Sequence, residues 1–178
     1  MSEKIAPGSE TRRNQILRVS LDLFLENGYQ STPVHEIARV VGTSHSNIHY
    51  HFKHKVEIVR VLFEPAFERV EALLKNYRDK DQLLENYLEM LLKDRKLMTL
   101  LATDLSVRSI PDIRSRARSL MEELQASVAG KESSVEELMR AECALWVLRT
   151  GVVSFPNSAE ITVREVTLPA AKAVMESG

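Results

Sequence analysis

The stretch from Pro33 to Lys55 most constrains the fold of this chain, because it contains two short helical segments joined by a turn with one glycine. Four apolar residues of the first segment recur at the spacing that forms one face of a helix: Val34, Ile37, Ala38 and Val41. We expect Thr32 to be the N-cap of this helix and Gly42 to end it. Ser44 can then cap a second helix over roughly 45–50. The pattern predicts a helix-turn-helix.

The second of these helices has one obvious inward residue, Ile48, and a polar outer face. The outer residues are short or flat, can form hydrogen bonds and include no acid: His45, Ser46, Asn47, His49 and Tyr50. Such side chains suit a helix that enters the major groove of DNA and touches base edges and phosphates.

The rest of the chain also has helical periodicity, and no alternating strand pattern stands out. An arm over 1–9 precedes a helix predicted at Glu10–Asn27, with Ser9 as its cap. A long helix follows from Lys55 to about Tyr77, and Pro65 inside it predicts a kink. Five more segments are expected at 81–93, 95–106, 111–129, 134–154 and 161–175.

These segments predict an all-α protein of about nine helices. A three-helix N-terminal domain with the helix-turn-helix takes residues 1–54. A larger helical core and dimerisation domain takes residues 55–178.

The charge pattern limits how this chain can bind nucleic acid. The net charge is −1, which argues against a protein that coats nucleic acid. All five histidines and a small excess of positive charge lie in the first third, so DNA binding must depend on local placement and on dimerisation. No long apolar run or signal-peptide segment occurs, and Cys143 is the single cysteine. We therefore expect a cytoplasmic protein with no membrane partner.

The last two predicted helices are apolar almost all round, which is typical of helices covered on more than one side. One side can face the internal core and the other a second copy of the chain. The sequence thus predicts a homodimer with a four-helix interface. The interface residues expected are Leu145, Leu148, Val152, Val166, Ala170 and Val174.

The N-terminal residues also carry a known motif in its usual order and spacing. The stretch TRRNQILRVSLDLFLENGYQSTPVHEIARVVGTSHSNIHYHFKHKVEIVRVL resembles the tetracycline-repressor (TetR) family of transcriptional regulators. The resemblance implies a sequence-specific DNA-binding regulator, most often a repressor that a small molecule releases from a near-palindromic operator. His49 stands where the family usually has a tyrosine, so the operator sequence does not follow from the resemblance.

With this resemblance, individual residues receive expected roles. The base-edge candidates are His45, Ser46, Asn47 and His49, and Ser44 lies at the start of the same helix. The expected phosphate contacts are Thr32, Tyr50, His51 and Lys55. The resemblance also implies an effector pocket, of unknown ligand, near Phe63, Phe67, Tyr87, Leu101, Leu124 and Trp146.

The sequence also allows three other interpretations. His45 and His49 have the i, i+4 spacing of metal ligands, but no third ligand converges with them, so neither a metal nor another cofactor is expected. An enzyme is disfavoured because a Gly-rich phosphate loop, a nucleophile elbow, HExxH and CxxC are all missing from the sequence. A DNA-binding dimer without an effector, or one controlled by a protein partner, remains the alternative.

Overall fold

The computed structural model describes residues 11–176, which form ten α-helices and no strand. The helices are α1 (Arg12–Asn27), α2 (Val34–Val41), α3 (His45–His51), α4 (Lys55–Asn76), α5 (Lys80–Lys93), α6 (Arg95–Thr103), α7 (Leu105–Arg108), α8 (Pro111–Ala129), α9 (Val135–Ser154) and α10 (Glu160–Glu176). The prediction of an all-α fold is therefore confirmed. No helix among the described residues is long and apolar enough to cross a membrane.

The helix predicted at 95–106 is wrong as a single element, which explains the tenth helix. Asp104 ends α6, and its side chain accepts hydrogen bonds from the backbone N–H groups of Ser106 and Val107. A side chain that caps a new first turn competes with continuation of the old helix. The four-residue helix α7 results.

The chain divides into two compact units, the first ending at Leu62 and the second beginning at Phe63. The boundary falls inside α4, so this one helix contributes residues to both units. Pro65 lies within α4, as the sequence indicated.

In the first unit, α1 packs on α2, and α2 packs on α3. The core residues include Ile16, Phe24, Ile37, Ile48 and Phe52, all nearly inaccessible to solvent. Burying such side chains removes apolar surface from water and holds the short helices α2 and α3 in place. Of the four residues predicted on the apolar face of α2, Ile37 and Ala38 are buried, whereas Val34 and Val41 are half-buried.

The start of α1 differs from the prediction. Thr11 is its N-cap and accepts a hydrogen bond from the backbone N–H of Asn14. The arm over 1–9, with Ser9 as a cap, lies outside the described residues.

In the second unit, α9 packs closely along α10, and α5 contacts α8, α9 and α10. The close approach of α9 and α10 requires Gly151, because a Cβ atom there would overlap Cγ2 of Thr167. Ser134 and Glu137 form a capping box at the start of α9. The second unit is thus built around two tightly paired C-terminal helices.

Candidate nucleic-acid interface

A short turn between α2 and α3 sets the direction of the candidate recognition helix. Gly42 adopts the left-handed conformation, with φ of 70°, and its N–H donates to carbonyl oxygens at the end of α2. Glycine adopts this conformation without the steric cost that a Cβ atom brings. Ser44 then caps α3 by accepting a hydrogen bond of 3.1 Å from the backbone N–H of Asn47. Both turn signals predicted from the sequence are confirmed.

The side chains of α3 divide into an inner and an outer set. Ile48 is buried, whereas His45, Ser46 and His49 are exposed. The imidazole rings of His45 and His49 lie parallel, with centroids 6.5 Å apart and an interplanar angle of 12°. The structure therefore brings three of the four base-edge candidates together on one solvent-facing surface.

Tyr50 and His51 form the C-terminal end of this surface. Tyr50 is 84% exposed, and its ring packs edge-on against that of His51 at 5.2 Å. A phenol and an imidazole in this position can both donate hydrogen bonds to phosphate oxygens.

Asn47, the fourth base-edge candidate, has a different environment. It is half-buried, and its Oδ1 atom is enclosed without a hydrogen-bond partner among the described residues. An enclosed carbonyl oxygen cannot accept a hydrogen bond from a base edge without moving the side chain. Asn47 is thus a weaker base-contact candidate than His45, Ser46 or His49.

Both roles predicted for Thr32, the N-cap of α2 and a phosphate contact, are wrong. Thr32 is fully buried, and Pro33 is the N-cap of α2. The Thr32 hydroxyl turns inward and lies 2.8 Å from the carbonyl oxygen of Gly28 and 3.3 Å from that of Leu23. Of these two, the Gly28 carbonyl lies beyond the last turn of α1 and has no helical partner of its own. Thr32 closes the first helix and is removed from the set of DNA contacts.

The structure also assigns Lys55 an internal role, contrary to its predicted phosphate contact. Its ammonium group donates to the carbonyl oxygens of Tyr29 at 2.6 Å and Thr32 at 3.0 Å, with that of Gln30 at 3.4 Å. The same group lies 4.3 Å from the centroid of the Tyr29 ring. Since an ammonium has only three N–H donors, Lys55 holds the α1–α2 connection together and has no donor left for a phosphate.

Two arginines at the start of α1 were missed by the sequence reasoning. Arg12 donates a hydrogen bond of 3.2 Å to the carbonyl oxygen of Val41, the last residue of α2. The guanidinium of Arg13 lies over the ring of Phe52, 5.1 Å from its centroid, next to the end of α3. Both side chains are exposed, as is that of Lys53. The adjacent arginines in the motif were the available signal, and the fold places their charges beside α3.

The predicted effector-pocket residues do not form one site. Phe63, Phe67, Tyr87 and Leu124 are buried, and Leu101 is half-buried. The rings of Phe63 and Phe67 stack with centroids 5.8 Å apart. These residues belong to the packed core of the second unit.

Trp146 is 60% exposed, so its assignment to an enclosed pocket is wrong. It lies on the outer face of α9, where the Arg149 guanidinium is 5.6 Å from the ring centroid. Apolar residues occur all round α9, and periodicity alone did not show which of its sides faces inward.

Tyr87 introduces a polar group into this core. Its hydroxyl donates to the sulfur of Met121 at 3.5 Å, and a thioether is a weak acceptor. Burial raises the pKa of the Tyr87 phenol to about 12, an effect that Arg149 opposes and Glu142 reinforces. The phenol is therefore neutral at physiological pH.

An open cleft of about 610 Å³ lies elsewhere in the second unit, between the end of α4, α5 and the first residue of α10. Its lining includes Leu73, Met90, Lys93 and Glu160. None of the six predicted pocket residues is among those that line it. The cleft was not visible in the sequence because its walls come from three separate helices.

Half of the predicted dimer-interface residues are wrong. Leu145, Leu148 and Val152 are fully buried within their own chain and cannot reach a second copy. Val166 and Ala170 are exposed and Val174 is half-buried, so they remain available.

The exposed apolar surface of the C-terminal helices has a clear pattern. On α9 it follows one helical face: Val135, Met139, Cys143 and Trp146. On α10 the exposed apolar residues include Ile161, Val166 and Ala170. We call this set the α9–α10 outer face. Exposed apolar residues on two paired helices are typical of surfaces that contact another protein.

No group of three or more histidine, cysteine or acidic side chains suited to a metal ion occurs within residues 11–176. His45 and His49 are neighbours, and nothing else with metal-binding chemistry joins them there.

Comparison with known proteins identifies the N-terminal residues. Residues 16–62 match the family model described as bacterial regulatory proteins, tetR family. The HTH-type transcriptional regulator AcrR of Shigella flexneri is 31% identical over 80 residues, covering 45% of this chain and 37% of that protein. The HTH-type transcriptional regulator QacR of Staphylococcus aureus is 42% identical over 75 residues, covering 38% and 40%. The chain thus spans less than half the length of these curated relatives.

Solved structures extend the likeness to the whole fold. A transcriptional regulator from Aquifex aeolicus superposes with a TM-score of 0.74 at 23% identity, over 92% of this chain and 99% of that one. The regulator PfmR from Thermus thermophilus gives a TM-score of 0.71 at 19% identity, over 90% and 97%. The curated relatives are regulators of transcription and not enzymes, in agreement with the prediction from the sequence. Residues 16–62 of this chain thus match the tetR family of bacterial regulatory proteins, and the described residues share the fold of the solved regulators.

Proposed function

We propose that this chain is a sequence-specific, DNA-binding regulator of transcription that acts in the cytoplasm. The observation that carries the proposal is the outer face of α3, where His45, Ser46, His49 and Tyr50 are exposed together and no acidic side chain occurs. A short polar helix held by a capped turn is the part of a helix-turn-helix that enters the major groove.

The proposed contacts follow from exposure and chemistry. His45, Ser46 and His49 touch base edges, since each offers a hydrogen-bonding group to solvent. Tyr50 and His51 contact phosphates at the end of α3. Three exposed cations near that helix supply the sequence-independent attraction to the DNA backbone: Arg12, Arg13 and Lys53.

A homodimer supplies the second recognition helix. The α9–α10 outer face supports this proposal, because it exposes Trp146, Met139 and Val166 on the two C-terminal helices. Two-fold pairing of this face matches a near-palindromic operator, with half-sites roughly 34–36 Å apart.

We further propose that a small molecule bound in the second unit weakens operator binding. Helix α4 supports this step because it runs unbroken from Lys55 to Asn76 and belongs to both units. Coupling of about 1–3 kcal/mol is enough to change affinity roughly 5- to 150-fold. Pro65 is the proposed hinge, and an unchanged ligand response in a Pro65→Ala variant would remove it from the mechanism.

A second candidate is a regulator without an effector in the apolar core. The burial of Phe63, Phe67, Tyr87 and Leu124 favours it, since these residues already fill the space that the sequence assigned to a ligand. A DNA affinity that no small molecule changes would support this candidate.

The proposed function is tested by selecting sequences from a pool of random duplexes with the full chain. We expect a near-palindromic sequence to be enriched, with an affinity that falls steeply as salt rises. The matched control is the His45→Ala/His49→Ala variant, which should retain its helical content and lose the enrichment. Enrichment of no sequence by the folded wild-type protein would overturn the proposal.

A further inference from the structure

The cleft between α4, α5 and the start of α10 has the size of a small-molecule site. Its volume of about 610 Å³ falls within the range of roughly 300–1,000 Å³ that is usual for ligand pockets. Neither Phe63 nor Tyr87 is among the residues that line it.

The cleft combines an apolar floor with a polar rim. Met90 and Leu92 are buried residues of α5, and Leu73 of α4 is half-buried beside them. These side chains can cover an apolar group that leaves water. Asn86 adds a carboxamide, which can both donate and accept hydrogen bonds.

Two of the four charged side chains that line the cleft already have partners. The Arg69 guanidinium donates to both carboxylate oxygens of Asp94, at 2.6 Å and 2.9 Å. Glu89 forms an ion pair with Arg164 of α10. Asp94 and Arg164 are not lining residues, so these two pairs hold the walls together and add little net charge to the cleft.

The other two charged side chains, Lys93 and Glu160, have no hydrogen-bond or ion-pair partner within the described residues. Both are exposed. Unpaired surface charges are common, but here one cation and one anion line the same cleft above an apolar floor. Together they offer complementary charge to a ligand that carries both signs.

The backbone around Glu160 is fixed by a specific contact. Arg95 donates to the carbonyl oxygens of Pro156 at 2.9 Å and Ser158 at 2.8 Å, in the connection between α9 and α10. This connection leads directly into Glu160, the first residue of α10. Glu160 therefore has a defined place at the cleft, as a binding group requires.

We propose that this cleft binds a small zwitterion with an apolar body, of which a free hydrophobic α-amino acid is the simplest example. Lys93 pairs with the ligand's carboxylate, Glu160 pairs with its ammonium group, and the apolar body covers Met90 and Leu92. Binding itself is independent of DNA recognition. Only its use as a regulatory signal rests on the function proposed above.

The test is calorimetric titration of the full chain with L-phenylalanine and L-leucine, and with two analogues that each lack one charge. 3-Phenylpropionate has no ammonium group, and phenethylamine has no carboxylate. We expect saturable binding of the amino acids and affinities weaker by roughly tenfold or more for both analogues, because each loses one charge-assisted contact. No saturation by either amino acid up to about 10 mM, or equal affinity for all four compounds, would overturn the proposal.

Charge-removing variants assign the contacts. The Glu160→Gln variant should bind phenylalanine no more tightly than 3-phenylpropionate. The Lys93→Met variant should bind phenylalanine no more tightly than phenethylamine. The controls Lys131→Met and Glu176→Gln remove exposed charges that do not line the cleft, and they should still bind phenylalanine more tightly than either analogue. An unchanged preference in the two cleft variants would contradict the assignment.

Operator affinity, measured on the same preparations, separates this inference from the proposed function. Amino-acid binding with no DNA binding leaves the cleft assignment standing and refutes the DNA-binding regulator. DNA binding with no amino-acid binding refutes only the cleft.

Discussion

Helices α3 and α9 expose opposite kinds of surface. The outer face of α3 is polar, with His45 and His49 side by side, whereas the outer face of α9 is apolar, with Met139 and Trp146 exposed. Each helix keeps its other side in the core of its own unit. The two surfaces therefore suit different partners: a polar face suits DNA, and an apolar face suits a second copy of the chain.

The largest effect should come from placing a charge on the α9–α10 outer face. Trp146→Glu should weaken self-association by at least about 100-fold, because a buried interface tryptophan often contributes 2 kcal/mol or more and occurs twice in a two-fold dimer. Analytical ultracentrifugation measures this. Leu105→Glu is the matched control, since Leu105 is an exposed apolar residue of α7 and not part of that face. Equal association of the Trp146→Glu and Leu105→Glu proteins would refute the dimer surface.

The next largest effect should come from the pair that joins α4 to the α5–α6 junction. Arg69→Ala leaves the Asp94 carboxylate, which is 9% exposed, without its cation. We expect a loss of about 3 kcal/mol in the free energy of unfolding, measured by urea denaturation. The control is Arg118→Ala, which removes the exposed Arg118–Glu122 pair and should leave stability unchanged. Similar stability of the Arg69→Ala and Arg118→Ala proteins would contradict the role of the Arg69–Asp94 pair.

A smaller loss should follow from filling the space at Gly151. The added methyl group of Gly151→Ala would overlap Thr167 and force α9 and α10 apart. Such overpacking costs about 1–3 kcal/mol. In the double variant with Thr167→Ser, the Cγ2 atom is removed and the hydroxyl that bonds to the Val163 carbonyl oxygen is kept, so stability should recover. An equally unstable double variant would show that the contact with Thr167 is not the cause.

The smallest effects should separate two lysines near α3. Lys53→Met should reduce the salt dependence of operator binding, by about 2 in the logarithmic slope for a dimer. Lys55→Met should leave that slope unchanged and cost about 1 kcal/mol of stability, because the Lys55 ammonium binds backbone carbonyls. Binding titrations at several salt concentrations and urea denaturation compare them. A reduced salt slope in the Lys55→Met protein, and not in the Lys53→Met protein, would show that Lys55 contacts DNA.

Local signals made the first unit largely predictable from the sequence. Gly42, Ser44 and the spacing around Ile37 act within a few residues of one another, and all three behave as expected. Thr32 escaped prediction because its hydroxyl partners lie four and nine residues away, on the preceding helix. The position of Thr32 just before a helix predicts an N-cap. Only the fold shows that the carbonyl oxygens of Leu23 and Gly28 accept its hydroxyl instead.

The second unit was harder to predict because its helices carry apolar residues on several sides. Periodicity identified α9, but it did not show that Leu145 faces the internal core and Trp146 faces outward. That choice depends on tertiary contacts with α10, which follows α9 in the chain, and with α5, which is far away in sequence. The cleft at Lys93 and Glu160 depends on the packing of α5 near α10, which are distant in sequence, so no local sequence pattern predicts it.

We expect the outer face of α3 to read DNA without contributing to the stability of the fold. The direct test measures operator affinity, affinity for an unrelated duplex and unfolding by urea in the His45→Ala/His49→Ala protein. We predict a loss of operator affinity of roughly 100-fold, with little change in affinity for the unrelated duplex or in the midpoint of unfolding. Operator affinity equal to that of the wild-type protein, or a loss matched by destabilisation of the fold, would contradict this expectation.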